Sequence, residues 1–331
     1  MLEAWTGARS PAGQKLILGG YLAVQTFFLL SGFVLAKSYS NTAWTGRNLA
    51  KYFAARFARI YPVYLLSLLV VSKFIVQAML RPTRSLELKA KLLFIYAFVL
   101  QGWFGNLGVG WNTPAWTLTC EFFFYLWFPL LVLGLRRAGR WTVGATVVAT
   151  IVVPVLLAHA GVPWTWKPIH HLSDFAAGIA AARIYDFLVP RFRGKGAWFY
   201  LPALVLGSIL IVHPEIMEGT YGDLNTGLRP LNVLALVGLA LGGGFAARAL
   251  STRASGFLGK ASYSMYILHV PVLWWYNKWA TENRWHLPGP AAALIFIAIV
   301  TAASALSFLH AETPANNWIR ARAAARPASS L

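Results

Sequence analysis

The sequence predicts an all-α integral membrane protein, about nine transmembrane helices in one bundle, with the N-terminus outside and the C-terminus cytoplasmic. Three observations carry that expectation. Hydrophobic residues make up 58% of the 331 and charged residues only 12%, a mixture that cannot be arranged as a water-soluble surface. Apolar runs recur along the whole chain, each close to the roughly 20 residues that carry a helix across about 30 Å of hydrocarbon. The basic residues sit in clusters between those runs, where they act as topology determinants.

The first run, near 17–36, ends at Lys37, and a basic segment through Arg47, Lys51, Arg56 and Arg59 leads into the second, near 60–80. The next apolar stretch, 92–104, is too short to cross and lies between Lys89, Lys91 and a Gly-rich segment, so it reads as interfacial or re-entrant. Runs near 115–135 and 141–158 flank Arg136, Arg137 and Arg140; those near 171–188 and 197–212 flank Arg191, Arg193 and Lys195. The last three, near 230–248, 262–280 and 289–309, enclose Arg248, Arg253 and Lys260 and lead to a tail with Arg320, Arg322 and Arg326. This alternate set of loops holds seventeen Lys and Arg. The opposite set holds nine, Arg229 among them, together with Glu3, Glu87, Glu215, Glu218, Asp223 and Glu282. Basic residues accumulate in short cytoplasmic loops, which fixes the orientation and argues against counting 92–104 as a crossing.

One membrane domain, 1–331, is the economical reading, with 1–16 as the remnant of an external loop and 312–331 as a cytoplasmic tail that frays after Trp318. The net charge of +19 belongs to topology, and nucleic acid is not an expected partner; membrane lipid is. The single cysteine, Cys120, excludes internal disulfides and any cysteine-rich metal site, and no metal is assigned. Residues 1–16 lack the pattern of a cleavable signal peptide.

Glu121 is the centre of the functional reading. It is a lone carboxylate inside an apolar run, a place where charge costs several kcal/mol unless it is paired, hydrated or neutralised, so it is a functional-site candidate by default, with helix bridging as the structural alternative. Helical spacing puts Thr117, Phe124 and Tyr125 on its face, and the hydroxyls of Thr117 and Tyr125 are expected to bond it. Arg56 and Arg59, with Lys51 close by, suit phosphate recognition by forked donors or anchoring to lipid headgroups, and the segment is expected on the cytoplasmic side, across the membrane from Glu121. Ser31 and Gly32 read chiefly as a site of close helix packing. His171, beside His170 and three residues before Asp174, is a possible base with an orienting carboxylate. His269, two residues before Pro271, reads as a buried histidine steadying a kink.

Taken in order, Phe27-Phe-Leu-Leu-Ser-Gly-Phe33, Arg56-Phe-Ala-Arg-Ile-Tyr-Pro62, Trp116-Thr-Leu-Thr-Cys-Glu121 with Tyr125 and Pro129, Asp174-Phe-Ala-Ala-Gly178, Gly259-Lys-Ala-Ser-Tyr-Ser-Met-Tyr-Ile-Leu-His-Val-Pro271 and Glu312-Thr-Pro314 resemble the acyltransferase-3 family of polytopic membrane enzymes. The resemblance implies transfer of an acyl group, commonly acetyl, from acyl-CoA as co-substrate to a hydroxyl of a carbohydrate, glycolipid or other cell-envelope acceptor, in a bacterial cytoplasmic membrane and with no permanently bound cofactor. It implies that Glu121 polarises the acceptor hydroxyl or orients a base, and that Trp116, Thr117, Tyr125, Lys51, Arg56 and Arg59 contact substrates. Family members usually open with a first helix bearing a histidine thought to be the base, and this sequence starts inside the loop that follows it, so the chain is expected to be inactive without that helix. A transporter, or a non-catalytic relative, is the alternative class.

Overall fold

The computed structural model describes residues 20–80, 82, 85–105, 110–213, 224–283 and 289–325. They form helices α1 (Gly20–Ser38), α2 (Gly46–Val70), α3 (Ser72–Leu80), α4 (Leu86–Ala97), α5 (Trp116–Leu135), α6 (Arg140–His159), α7 (Lys167–Phe192), α8 (Ala197–Val212), α9 (Leu224–Leu241), α10 (Gly244–Leu250), α11 (Arg253–Glu282), α12 (Gly289–Ser307) and α13 (Thr313–Ala325). Among the described residues there is no strand. Residues 1–16, expected as part of an external loop, and most of the segment 213–229 lie outside the described residues.

The predicted spans are helical over their described residues apart from breaks at Val71 and at Gly242–Gly243, yet among the described residues fewer than nine helices meet the demands of length and apolarity together. Four helical stretches do so, Gly46–Val70, Thr113–Leu135, Arg140–His159 and Pro290–Arg322, and a fifth if Gly227–Leu241 and Gly244–Leu250, bent by 74° at the intervening glycines, are one span. Helices α7 and α11 are long enough, but α7 carries Asp174, Arg183 and Asp186, and α11 carries Lys260 and Lys278 with His269 between them. Lipid-facing character is plain on α6, where Val148, Val152, Val153 and Leu156 stay uncovered.

The chain divides into two compact units. The first comprises Ala43–Tyr125 and the part from Gly256 onward; the second comprises the residues up to Thr42 and Leu126–Ser255. Within the first unit, α2 starts earlier than the sequence suggests. Thr45 caps it, its hydroxyl accepting from the Asn48 N–H (3.3 Å). The second span therefore runs 46–70 rather than 60–80, with a break at Val71, because the capped segment from Arg47 to Arg59 is already helical. Helix α4, the short apolar stretch, packs its Leu92, Ile95 and Tyr96 against Val71 and Trp111 instead of crossing. Of the tail expected to fray after Trp318, residues 319–325 are helical and 326–331 lie outside the described residues. After a π-helical turn at Phe308–Glu312, α13 continues to Ala325 and lies along α2. The wide turn precedes Pro314, whose missing N–H leaves the His310 carbonyl without its ordinary helical donor.

In the second unit, α1 packs most extensively on α7, and glycines from both make the contact possible. A Cβ on Gly178 would collide with the Leu29 carbonyl, and one on Gly32 with the Phe175 carbonyl. The Ser-Gly-Phe and Asp-Phe-Ala-Ala-Gly segments are thus two halves of one backbone-to-backbone contact. Gly32 serves the close packing that the sequence suggests. Gly178→Val is expected to lower the melting temperature and folded yield in detergent, whereas Gly134→Ala, whose Cβ meets open space, leaves stability unchanged or raises it by up to about 1 kcal/mol; paired thermal melts check this, and equal melts would contradict it.

Candidate functional site

Glu121 lies on α5 in the first unit with 3% of its surface exposed. The Tyr125 hydroxyl, one turn on, donates to its Oε2 at 3.1 Å. Thr117 does not: its hydroxyl donates to the Pro114 carbonyl at 2.9 Å, satisfying the backbone one turn back. Trp116 is half-buried at the first position of α5.

The larger correction concerns Arg56 and Arg59. They are not across the membrane from Glu121. Because α2 begins at Gly46, they stand ten and thirteen residues inside it, about 15 and 20 Å along its axis. There both charges act on the Glu121 carboxylate. The Arg56 guanidinium lies over the rings of Tyr52 and Tyr125, 5.9 and 5.7 Å from their centroids. Arg59 makes an ion pair with Glu312 and lies 5.2 Å from the Tyr263 ring centroid. Glu312, 1% exposed, also accepts from the Ser264 hydroxyl at 2.7 Å. Tyr263 in turn donates to the Ile60 carbonyl at 2.7 Å, tying α11 to α2 beside Arg59. Lys51 remains exposed on α2. Sequence reasoning missed Glu312 as a site residue; the signal was an isolated acid directly after the last apolar run.

Two further groups hold the carboxylate's surroundings. Thr119 donates to the Val99 carbonyl at 2.7 Å and accepts from the Gly102 N–H at 3.0 Å, so the turn after α4 is sewn to α5 two residues before Glu121. Val99 holds a left-handed φ of 56°, costly for a β-branched residue and stable only where neighbours over-determine it. Asn112 donates to Ser67 Oγ at 2.9 Å and to the Ile267 carbonyl at 3.1 Å. That carbonyl is the one Pro271 deprives of its helical partner. His269 bonds the neighbouring Tyr266 carbonyl at 2.6 Å instead, so Asn112, and not His269, answers the proline.

His171 and Asp174 lie in the second unit, on α7. The predicted pair exists: His171 Nδ1 is 2.9 Å from Asp174 Oδ2. Its carboxylate has a second partner that the sequence did not suggest, Arg229, whose Nε donates to Oδ1 at 2.6 Å while its guanidinium also reaches the Thr150 carbonyl. Arg229 is 4% exposed on α9, so its place among the external loop charges is wrong; it belongs to the core because Asp174 neutralises it there. His170 turns elsewhere, to the Pro163 carbonyl at 3.3 Å.

The structure therefore places seven of the nine candidate residues, Lys51, Arg56 and Arg59 on α2 and Trp116, Thr117, Glu121 and Tyr125 on α5, in one unit, and pairs His171 with Asp174 in the other. A family model described as an acyltransferase domain matches residues 3–309. The chain belongs to the acyltransferase-3 family. As a member of the acyltransferase-3 family it is an acyltransferase moving groups other than amino-acyl groups. Acyltransferase MdmB of Streptomyces mycarofaciens is 29% identical over 318 residues, covering 85% of this chain and 77% of that protein. Nodulation protein 10 of Rhizobium leguminosarum bv. viciae is 27% identical over 209 residues, 55% of this chain and 54% of its own. A protein of Staphylococcus aureus (strain COL), named as an O-acetyltransferase, is 22% identical over 329 residues, 91% of this chain. The chain spans about half the length of the latter two. No solved structure matches it.

Removing one partner of a buried ion pair leaves an uncompensated charge, at a cost of about 3–5 kcal/mol. Arg229→Gln should therefore destabilise the acyltransferase far more than Arg248→Gln, whose guanidinium bonds only an exposed backbone carbonyl; denaturation midpoints in detergent check this, and equal midpoints would contradict it.

Proposed function

We propose that this acyltransferase is a multi-pass enzyme of the bacterial cytoplasmic membrane that moves an acyl group, of the acetyl class, from acyl-CoA to a hydroxyl of a carbohydrate, glycolipid or other cell-envelope acceptor. The observation that carries the site assignment is the buried Glu121 carboxylate with the Tyr125 hydroxyl on one oxygen and the charges of Arg59 and Arg56 acting on it. The nine-crossing topology, with the N-terminus outside and the C-terminus cytoplasmic, rests on the distribution of basic residues.

In this reaction the acceptor oxygen attacks the thioester carbonyl; the new C–O bond forms, the C–S bond breaks, and the acceptor's proton ends on the departing CoA thiol. Glu121 polarises the acceptor hydroxyl or orients the base that takes its proton, and Tyr125 fixes the carboxylate's rotamer. Arg59 supplies fixed positive charge near the oxygen on which negative charge develops. Contact with the donor's phosphates falls to the exposed Lys51 and to Arg56, further along the same helix. Trp116 and Thr117, at the start of α5, line the acceptor's approach. His171, oriented by Asp174 within the second unit, has the geometry of a general base.

Glu121→Gln should abolish acyl transfer by about a hundredfold or more while leaving folded protein in the membrane, because a neutral amide fills the same space without acting as a base. Thiol release from acyl-CoA in membranes carrying the variant measures it. Activity above about a third of the unaltered enzyme would return Glu121 to a structural role.

Lys51→Gln combined with Arg56→Gln should raise the apparent KM for acyl-CoA and leave the acceptor's KM close to its starting value. An unchanged donor KM would assign both cations to lipid anchoring.

A further inference from the structure

The second unit contains a cavity of about 240 Å³ that none of the residues considered so far explains. It lies where α1, α5 and α7 approach one another, and Lys37, Ser40, Asn41, Arg136, Arg183 and Asp186 line it. Three cations face one carboxylate. Asp186 takes two of them, Lys37 at 2.5 Å and Arg183 at 3.1 Å. Arg136 has a hydrogen bond to the Thr42 carbonyl at 3.2 Å, an acceptor that leaves its charge uncompensated. Arg183 also donates from one terminal nitrogen to the Ala138 carbonyl at 3.3 Å, while its Nε is buried without a hydrogen-bond partner among the described residues. A buried guanidinium N–H of this kind requires an acceptor.

We propose that this cavity binds a phosphate ester. Its net surplus of two positive charges matches a phosphate at neutral pH, and two guanidinium groups with an ammonium are the donors that recognise one. Its volume lies below the roughly 300–1,000 Å³ of pockets that enclose a drug-sized ligand, so it takes a phosphate head and the first atoms of its ester. Asp186 acts as the placeholder that keeps Lys37 and Arg183 together. Lys37 is backed by the Tyr185 ring (4.9 Å) and Arg183 by the Phe187 ring (4.9 Å), which stiffen both donors from behind. The chemistry is shared by two sources, a soluble nucleotide and the headgroup of an anionic lipid. This inference does not depend on the roles given to Glu121 or Arg56, since every residue of the cavity belongs to the second unit.

The test uses the full chain in phosphatidylcholine nanodiscs. Adenosine 3′,5′-bisphosphate probes the nucleotide source by titration calorimetry; nanodiscs mixed with phosphatidic acid probe the lipid source by the shift in melting temperature. Saturable binding of the nucleotide, or stabilisation by phosphatidic acid, supports the proposal if Arg136→Gln weakens it at least tenfold, and identifies the source. Arg136→Gln is the primary variant because its partner is a backbone carbonyl and folding does not rest on it; Arg183→Gln is the second, read only where its melt in plain phosphatidylcholine is retained. Absence of any response to both probes, or a response that Arg136→Gln leaves intact, overturns it.

Discussion

The ion pair between Arg59 and Glu312 is the contact on which the first unit's arrangement depends. Glu312 is withdrawn from water while Arg59 keeps about a third of its side chain exposed, and the buried carboxylate is not tolerable there without the guanidinium. Once they are paired, much else is determined. The pair fastens α2 to the π-helical turn before α13, fixes the register in which Tyr263 and Ser264 of α11 reach α2 and Glu312, and leaves the outer charge of Arg59, with that of Arg56, directed onto Glu121. The second unit repeats the device with Arg229 and Asp174, and there the carboxylate has an oxygen left over for His171. Each unit thus places one arginine where it is costly, neutralises it with one acid, and uses the assembled pair to orient a group with acid–base chemistry.

Proline explains a second layer of the architecture. In lipid, a carbonyl that loses its helical donor must be answered by protein, because water is absent. Pro129, Pro154 and Pro271 release the carbonyls of Tyr125, Thr150 and Ile267, and buried side chains meet all three: the Tyr52 hydroxyl at 3.2 Å, the Arg229 guanidinium, and the Asn112 amide at 3.1 Å. These bonds join helices at the points where a helix alone is weakest. Tyr52 thereby sits between Trp44 and Arg56 and links the stacking around Arg56 to the backbone of the helix that bears Glu121.

Much of this was legible in the chain, and the failures have physical causes. Glu121 declared itself as a solitary charge in a hydrophobic run, and Gly32 as a small residue where helices approach. The helical nature of the described parts of these runs followed from their composition. What misled was the segment from Arg47 to Arg59: four cations read as loop, although Thr45 followed three residues later by Asn48 is an N-terminal helix signal that places them inside α2. Arg229 was misplaced for the same reason, since charge counting treats any arginine beside an apolar run as a loop cation, and its acid, Asp174, is 55 residues away. The carbonyls freed by proline can be read off a sequence four residues upstream. The side chains that answer them cannot, because that pairing exists only in the packed structure. The motifs that resemble the family turn out to be partners of one another: Ser-Gly-Phe with Ala-Ala-Gly, and Arg-Phe-Ala-Arg with Ser-Tyr-Ser and Glu-Thr-Pro.

The central claim is that Arg59 and Glu312 stabilise the fold as a pair and not as separate polar groups. A double-mutant cycle tests it most directly, comparing the unfolding free energies of Arg59→Gln, Glu312→Gln and the double variant in the same detergent. The account predicts that Arg59→Gln, by leaving the buried Glu312 carboxylate unpaired, costs several kcal/mol, that Glu312→Gln costs less because Arg59 is part-exposed, and that the double variant loses less than the sum by about 1–3 kcal/mol. Additive losses, with no coupling beyond about 0.5 kcal/mol, would contradict it.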